Sequence, residues 1–345
     1  MEKTLTLRYI ALPLCVAVML SAADATFPQA EISNGLIKAK ILLPDPKRGY
    51  YRGTRFDWDG VVESLTYQGH NFFGKWFDHY EPTSHDAIMG PVEEFRTGDT
   101  ALGYDEAKPG GYFLKIGVGI LRKLDDEKYS PYRTYPIVST GKRVITPESD
   151  RVFFQQELSN GEGYAYVYKK TLRLVRGKPE LVIEHSLNNA GRKVIDTSVY
   201  NHDFYMIDNQ PAGPSYRVSF TFTPLAKNDL KDLAEIRGKE LVYKRELNPG
   251  GESVFTLLSG FGGTAADNDF VVENSAAKAG VREIGDRPLS DFNFWSIRST
   301  VCPEGYIHMR IEPGKTFAWK ITYRFYTLPL TNPKKKERRR QLDGR

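Results

Sequence analysis

From residue 111 onward, apolar and polar residues alternate with a period of two over one short stretch after another. Such alternation predicts half-buried β-strands at 112–121, 151–158, 164–175, 181–187 and 194–200. It continues at 216–222, 241–243, 254–259, 270–273, 292–299, 306–311 and 317–326. Arg176-Gly177-Lys178-Pro179 and Asn188-Asn189-Ala190-Gly191 supply turn chemistry between them. Earlier, 31–43 interleaves Ile32, Leu36, Ile37, Ala39 and Ile41 with polar residues and ends at Pro44-Asp45-Pro46. Val61–Tyr67 and 71–76 read as a hairpin about Gln68-Gly69. One short charged helix is expected at 228–236, where Leu230, Leu233 and Ile236 share a side. Many closely spaced strands with almost no helix predict an all-β, antiparallel sandwich or barrel rather than βαβ units.

Two stretches break the alternation. Residues 49–60, GYYRGTRFDWDG, crowd aromatics with both charge signs; they fit either a functional loop or packing across a sheet edge. Residues 78–106 are polar, carry His79, His85, Glu93, Glu94 and Arg96, and are expected to form a binding surface with little regular structure. His79 and His85 do not stand at a recognisable metal-ligand spacing, so no metal is expected.

The ends are read separately. Residues 1–25 have Lys3 and Arg8, a short apolar run and Ala23-Asp24-Ala25, the pattern of a cleaved export signal. A periplasmic or secreted protein is therefore expected, as one domain over 26–332 with a basic, disordered tail at 333–345. That tail holds much of the formal net charge of +5, and the body is near neutral. Basic residues do not line one face, so no nucleic-acid partner is expected, and no later stretch is apolar enough to span a membrane. Once Cys15 leaves with the signal, Cys302 is the sole cysteine, which excludes an internal disulfide and a cysteine-based metal site. With no glycine-rich phosphate loop and no GxSxG motif, no cofactor is expected.

The chemistry concentrates in residues 194–214. A β-branched run leads into Asn201, His202, Phe204 and Tyr205, followed by Asp208 and a turn-rich close. An imidazole at a strand end beside an amide, a carboxylate and aromatic walls can transfer protons while holding a sugar ring. His185 shares a face with Leu181, Ile183 and Leu187 and reads as a satisfied core residue.

Asn201-His202-Asp203-Phe204-Tyr205 resembles the NHxYF signature of the aldose 1-epimerase (galactose mutarotase-like) superfamily. Ile311-Glu312-Pro313-Gly314-Lys315, running into TFAWKITYRF, is similar to that family's ending. The resemblance implies a β-supersandwich with a sugar on an open concave face. It implies His202 as the acid for the ring oxygen, with a glutamate as base on the opposite side of the anomeric centre. The family's CLExQ motif is not reproduced: Arg298 stands where its carboxylate is expected. Glu304, in Val301-Cys302-Pro303-Glu304, or Glu94 is the candidate base, and His85 is nearest to the family's second histidine. Arg55, His85, Asn201, Tyr205, Asp208, Trp295 and Arg298 are expected to grip a sugar or oligosaccharide, Arg298 suiting an acidic one. A polysaccharide lyase or hydrolase on the same scaffold and a non-catalytic carbohydrate-binding protein stand as alternatives.

Overall fold

The computed structural model describes residues 27–329; the expected export signal at 1–25 and the expected tail at 333–345 lie outside them. Two antiparallel sheets dominate. The larger has ten strands, running in space from Ala234–Arg237 at one edge through Thr316–Thr327 and Glu180–Asn189 to Lys142–Pro147 at the other. The second has six, in the order Leu225–Ala226, Ser253–Ser259, Asp291–Ile297, Thr300–Ile311, Ile195–His202 and Val92–Arg96. A four-stranded sheet near the N-terminus and a three-stranded one from Tyr112–Lys115, Gly119–Arg122 and Ile137–Ser139 complete the set.

Alternation decides what each strand buries. Arg151–Ser159 turns Val152 and Phe154 inward, Ala165–Leu174 turns Leu172 inward, and the six-stranded sheet answers with Phe292, Phe294 and Val301. These join one apolar core between the sheets, and Phe95, Tyr168, Leu187, Val199 and Trp319 form a second cluster there. On the other face of the six-stranded sheet, Tyr51, Phe56, Trp58, Phe113 and Tyr135 pack with Phe204 and Cys302. The aromatic loop 49–60 is thus packing and functional wall at once.

The structure corrects several expectations. Residues 112–121 fall in the two strands Tyr112–Lys115 and Gly119–Arg122, and the hairpin partner of Val61–Tyr67 is only His70–Asn71. Residues 31–43 form two strands, Gln29–Ser33 and Ile37–Leu42. Asn34 turns the chain between them, its Oδ1 accepting from the amides of Leu36 (3.0 Å) and Ile37 (2.8 Å), with Gly35 at φ 85°. The expected helix at 228–236 is absent. Asp229 caps a turn at Lys231, whose φ of 55° interrupts any helix, and Ala234–Arg237 pairs at a sheet edge with Glu240–Tyr243. Its leucines reach the core from irregular chain; among the described residues helical geometry is confined to the 3-10 turns Ile207–Asn209 and Ala265–Asp267. Finally, 78–106 contains the strand Val92–Arg96, which pairs with Ile195–His202 and brings Glu93 and Glu94 into the sheet.

Candidate functional site

The register of the six-stranded sheet assembles the site. Tyr200 and His202 project from one face of Ile195–His202. Glu304 and Tyr306 come from Thr300–Ile311 and Asn293 and Trp295 from Asp291–Ile297, where Trp295 opposes Phe255 of the next strand. With Arg55, Trp76, Asp86, Arg96, Tyr132 and Phe204 they enclose a cavity of about 250 Å³. Tyr132 (60% exposed) and Phe255 (47%) stand at its mouth, whereas His202 and Glu304 are buried at its floor.

His202 Nε2 lies 3.3 Å from Glu304 Oε1. The imidazole ends a stack of three rings: it lies on Phe204 at 3.8 Å and 7°, and Phe204 lies on Trp76 at 4.8 Å and 12°. Phe204 reaches that position through a left-handed backbone, φ 47°, a conformation a bulky residue adopts only when its surroundings impose it. Trp295 closes the edge of the imidazole at 5.5 Å. In this apolar niche burial, reinforced by the charge of Arg55, holds His202 well below its usual pKa. Burial also pushes the Glu304 carboxyl up to about 8, against the opposing pull of Arg55. At neutral pH the pair therefore holds a neutral imidazole beside a carboxylic acid. His202 Nδ1 has no partner. The expected acid and base are in direct contact, so no sugar ring fits between them.

Glu94 differs. Burial raises its carboxyl, but Arg55 and Lys115 overcome that and hold it at about 2. Arg55 Nε donates to it at 2.9 Å, Tyr200 Oη at 2.6 Å, and Lys115 Nζ stands at 3.5 Å. It sits beneath the cavity as an ionised counter-charge. Arg55 also pairs with Asp86 and lies over the rings of Phe56 (4.5 Å) and Tyr132 (5.1 Å).

Of the expected sugar contacts, Arg55 and Trp295 line this cavity. His85 is beside it, its Nε2 2.9 Å from Asp86 Oδ2 and its ring edge-on to Tyr132, in an adjoining groove of about 720 Å³ that shares Trp76 and Asp86 with the cavity. Arg298 lies in that groove, tied to Glu246. Asn201 points to the opposite face of the sheet and donates to Tyr323 Oη at 3.0 Å. Tyr205 is buried in the core, its hydroxyl on Glu283 at 3.0 Å. Asp208 serves the Ile207–Asn209 turn, accepting from the Asn71 amide at 2.9 Å and pairing with His70 at 2.7 Å. Within the strand, period two sends Asn201 away from His202 and keeps Tyr200 with it; beyond the strand's end Phe204 rejoins them through its left-handed backbone, and Asp208 belongs to a separate turn. The same reasoning applied to Glu304 finds Tyr306. Applied to Trp295 it finds Asn293, and applied to Glu94 it finds Arg96; Trp76, Tyr132 and Phe255 carry no such local signal. Among the described residues no three His, Cys, Asp or Glu side chains are placed to hold a metal ion.

No protein-family model and no curated protein matches the sequence. Solved structures do. A GalM/aldose epimerase homologue from C. elegans aligns with 88% of this chain and 100% of its own, at a TM-score of 0.54 and 11% identity. A galactose mutarotase-like protein from Lactobacillus casei aligns over 86% of this chain and all of its own, at 0.52 and 12%. One from Clostridium acetobutylicum covers 86% and 95%, at 0.52 and 12%. At these identities the likeness is one of architecture, and the fold of the chain is the galactose mutarotase-like β-sandwich.

Proposed function

We propose that this is an exported carbohydrate-active enzyme that interconverts the anomers of a sugar by acid–base catalysis. The observation that carries the reading is the His202–Glu304 pair, 3.3 Å apart at the floor of an aromatic-walled cavity. Similarity of fold to proteins described as galactose mutarotase-like supports it.

The contact between the two groups suits a hemiacetal, whose two oxygens sit on one carbon. The Glu304 O–H protonates the ring oxygen while His202 Nε2 takes the proton of the anomeric hydroxyl. The bond from C1 to the ring oxygen breaks as the carbonyl forms, leaving a carboxylate beside an imidazolium. After the aldehyde turns about C1–C2, the freed hydroxyl attacks its other face and returns its proton to Glu304. The new anomeric oxygen takes back the proton held on Nε2. Burial sets the starting protonation states near neutral pH, keeping the acid protonated and the base unprotonated. Trp295, Phe255 and Tyr132 offer ring faces to the sugar.

Polarimetry or exchange NMR on the mature chain tests this. His202→Ala and Glu304→Gln should each slow anomer exchange by about 10²- to 10⁴-fold. An unchanged rate in either variant would end the proposal. Turnover should hold on a plateau through neutral pH and fall above about 8, as Glu304 loses its proton. Export is tested by locating the processed chain after cell fractionation.

The adjoining groove favours a second reading, a lyase or hydrolase acting on an oligosaccharide laid across Trp76. Unsaturated or reducing ends released from a glycan panel would select it.

A further inference from the structure

The charges around the cavity do not balance, and the imbalance sits on Arg96. Arg55 is engaged by Asp86, Glu94 and Tyr200. Lys115, beneath the floor, shares Glu94 and donates to the Phe95 carbonyl at 2.7 Å. Three cations thus face two carboxylates, since Glu304 is protonated at neutral pH. Arg96 lines the cavity next to Tyr306, with its side chain 28% exposed, and it shares the charge of Glu94 with Arg55 and Lys115. Its one ion-pair partner among the described residues is Asp99, 3.8 Å away and fully exposed to water, where such a pair contributes little. Arg298, the residue whose type first suggested an acidic ligand, is outside the cavity and neutralised by Glu246.

We infer that the preferred ligand is a hexuronate, bound with its anomeric carbon at the His202–Glu304 floor and its carboxylate on the guanidinium of Arg96. The inference rests on the proposed sugar site. A pyranose carries its C6 substituent on the carbon joined to the ring oxygen, so a carboxylate there lies to one side of the reacting centre. Arg96 shares the cavity wall with Glu304 and Tyr306. An arginine in a partly desolvated wall binds a carboxylate by two parallel hydrogen bonds, which a neutral hydroxymethyl group cannot accept equally well.

Calorimetry at pH 7 decides, using D-glucuronate and D-galacturonate against D-glucose and D-galactose. Because binding is read directly, the result does not depend on turnover. The wild-type chain should bind a uronate at least about tenfold more tightly than its parent hexose, the scale of a hydrogen-bonded charge. Arg96→Gln should collapse that ratio toward one, and Arg96→Lys should restore part of it. Equal affinities for acid and hexose in the wild type would overturn the inference. So would an Arg96→Gln variant, folded by its melting curve, that weakens both sugars by the same factor. A uronate preference that survives Arg96→Gln also overturns it. Failure of the sugar site itself would show differently, as no heat from any of the four sugars.

Discussion

Two histidine–glutamate pairs occupy opposite faces of the six-stranded sheet, and they behave in opposite ways. On the cavity side His202 meets Glu304 at 3.3 Å. On the inner side His185, from the ten-stranded sheet, meets Glu93 at 2.7 Å. All four residues are buried. Glu93, however, also holds Lys170, which donates to the Asp59 carbonyl at 2.6 Å and stands 3.5 Å from Asp57. Burial raises Glu93, but Lys170 and His185 reverse this and bring it to about 2. Glu304 has no cation in direct contact, so burial wins and carries it to about 8. A His–Glu contact is therefore no catalytic signature by itself. What distinguishes the cavity pair is the lack of a compensating charge, which keeps Glu304 protonated and His202 neutral near neutral pH.

The contrast can be broken from either side. Glu304→Gln replaces a neutral acid by an amide of similar shape. It should abolish most anomer exchange, as above, yet raise the unfolding free energy near neutral pH, because glutamine removes the cost of keeping a buried carboxyl protonated. Glu93→Gln should do the reverse in denaturant titration, costing about 3–5 kcal/mol because Lys170 is left buried without its anion. If the two variants were equally destabilising, the division into a reactive and a structural pair would fail.

The pH dependence of stability should also run in opposite directions. Glu304 is raised on folding, so its contribution is full below about 4.5 and is lost as pH rises toward 8. Glu93 is depressed on folding, so its contribution is present above about 4.5 and is lost as pH falls toward 2. Comparing wild type with each glutamine variant by urea unfolding should expose slopes of opposite sign, each on the order of 1 kcal/mol per pH unit. A smaller effect comes from the ring stack. Phe204→Leu removes the platform under the imidazole and should cost about 1–3 kcal/mol while lowering turnover severalfold. Smallest is Asp208→Asn, which keeps an acceptor for the Asn71 amide in a left-handed turn that asparagine tolerates. Turnover should not change, and stability should move by less than about 1 kcal/mol.

Most of the architecture was legible because strands with one buried face announce themselves by alternation. Strand 142–147 was not, since its side chains are mostly exposed, nor was Ala279–Gly285, with glycine near its start and at its end. The false helix at 228–236 shows that leucines at helical spacing can also reach a core from irregular chain. In the site, His202, Glu304, Arg55 and Trp295 could be proposed from residue type and motif. Asn201, Tyr205 and Asp208 were drawn in by proximity along the chain, which in a strand sends neighbours to opposite faces. Arg96 was missed because 78–106 was not expected to hold a strand, and Tyr132 because loop placement decides where it stands.

Adjacent glutamates in Val92–Arg96 point to opposite faces, Glu93 to Lys170 and Glu94 to Arg55. A slip of this edge strand by one position against Ile195–His202 would send each carboxylate away from its cation, stranding charge in two places at once. The doublet thus works as a two-sided key: an edge strand able to slide is fixed in one alignment by electrostatics, and Arg96 is fixed with it.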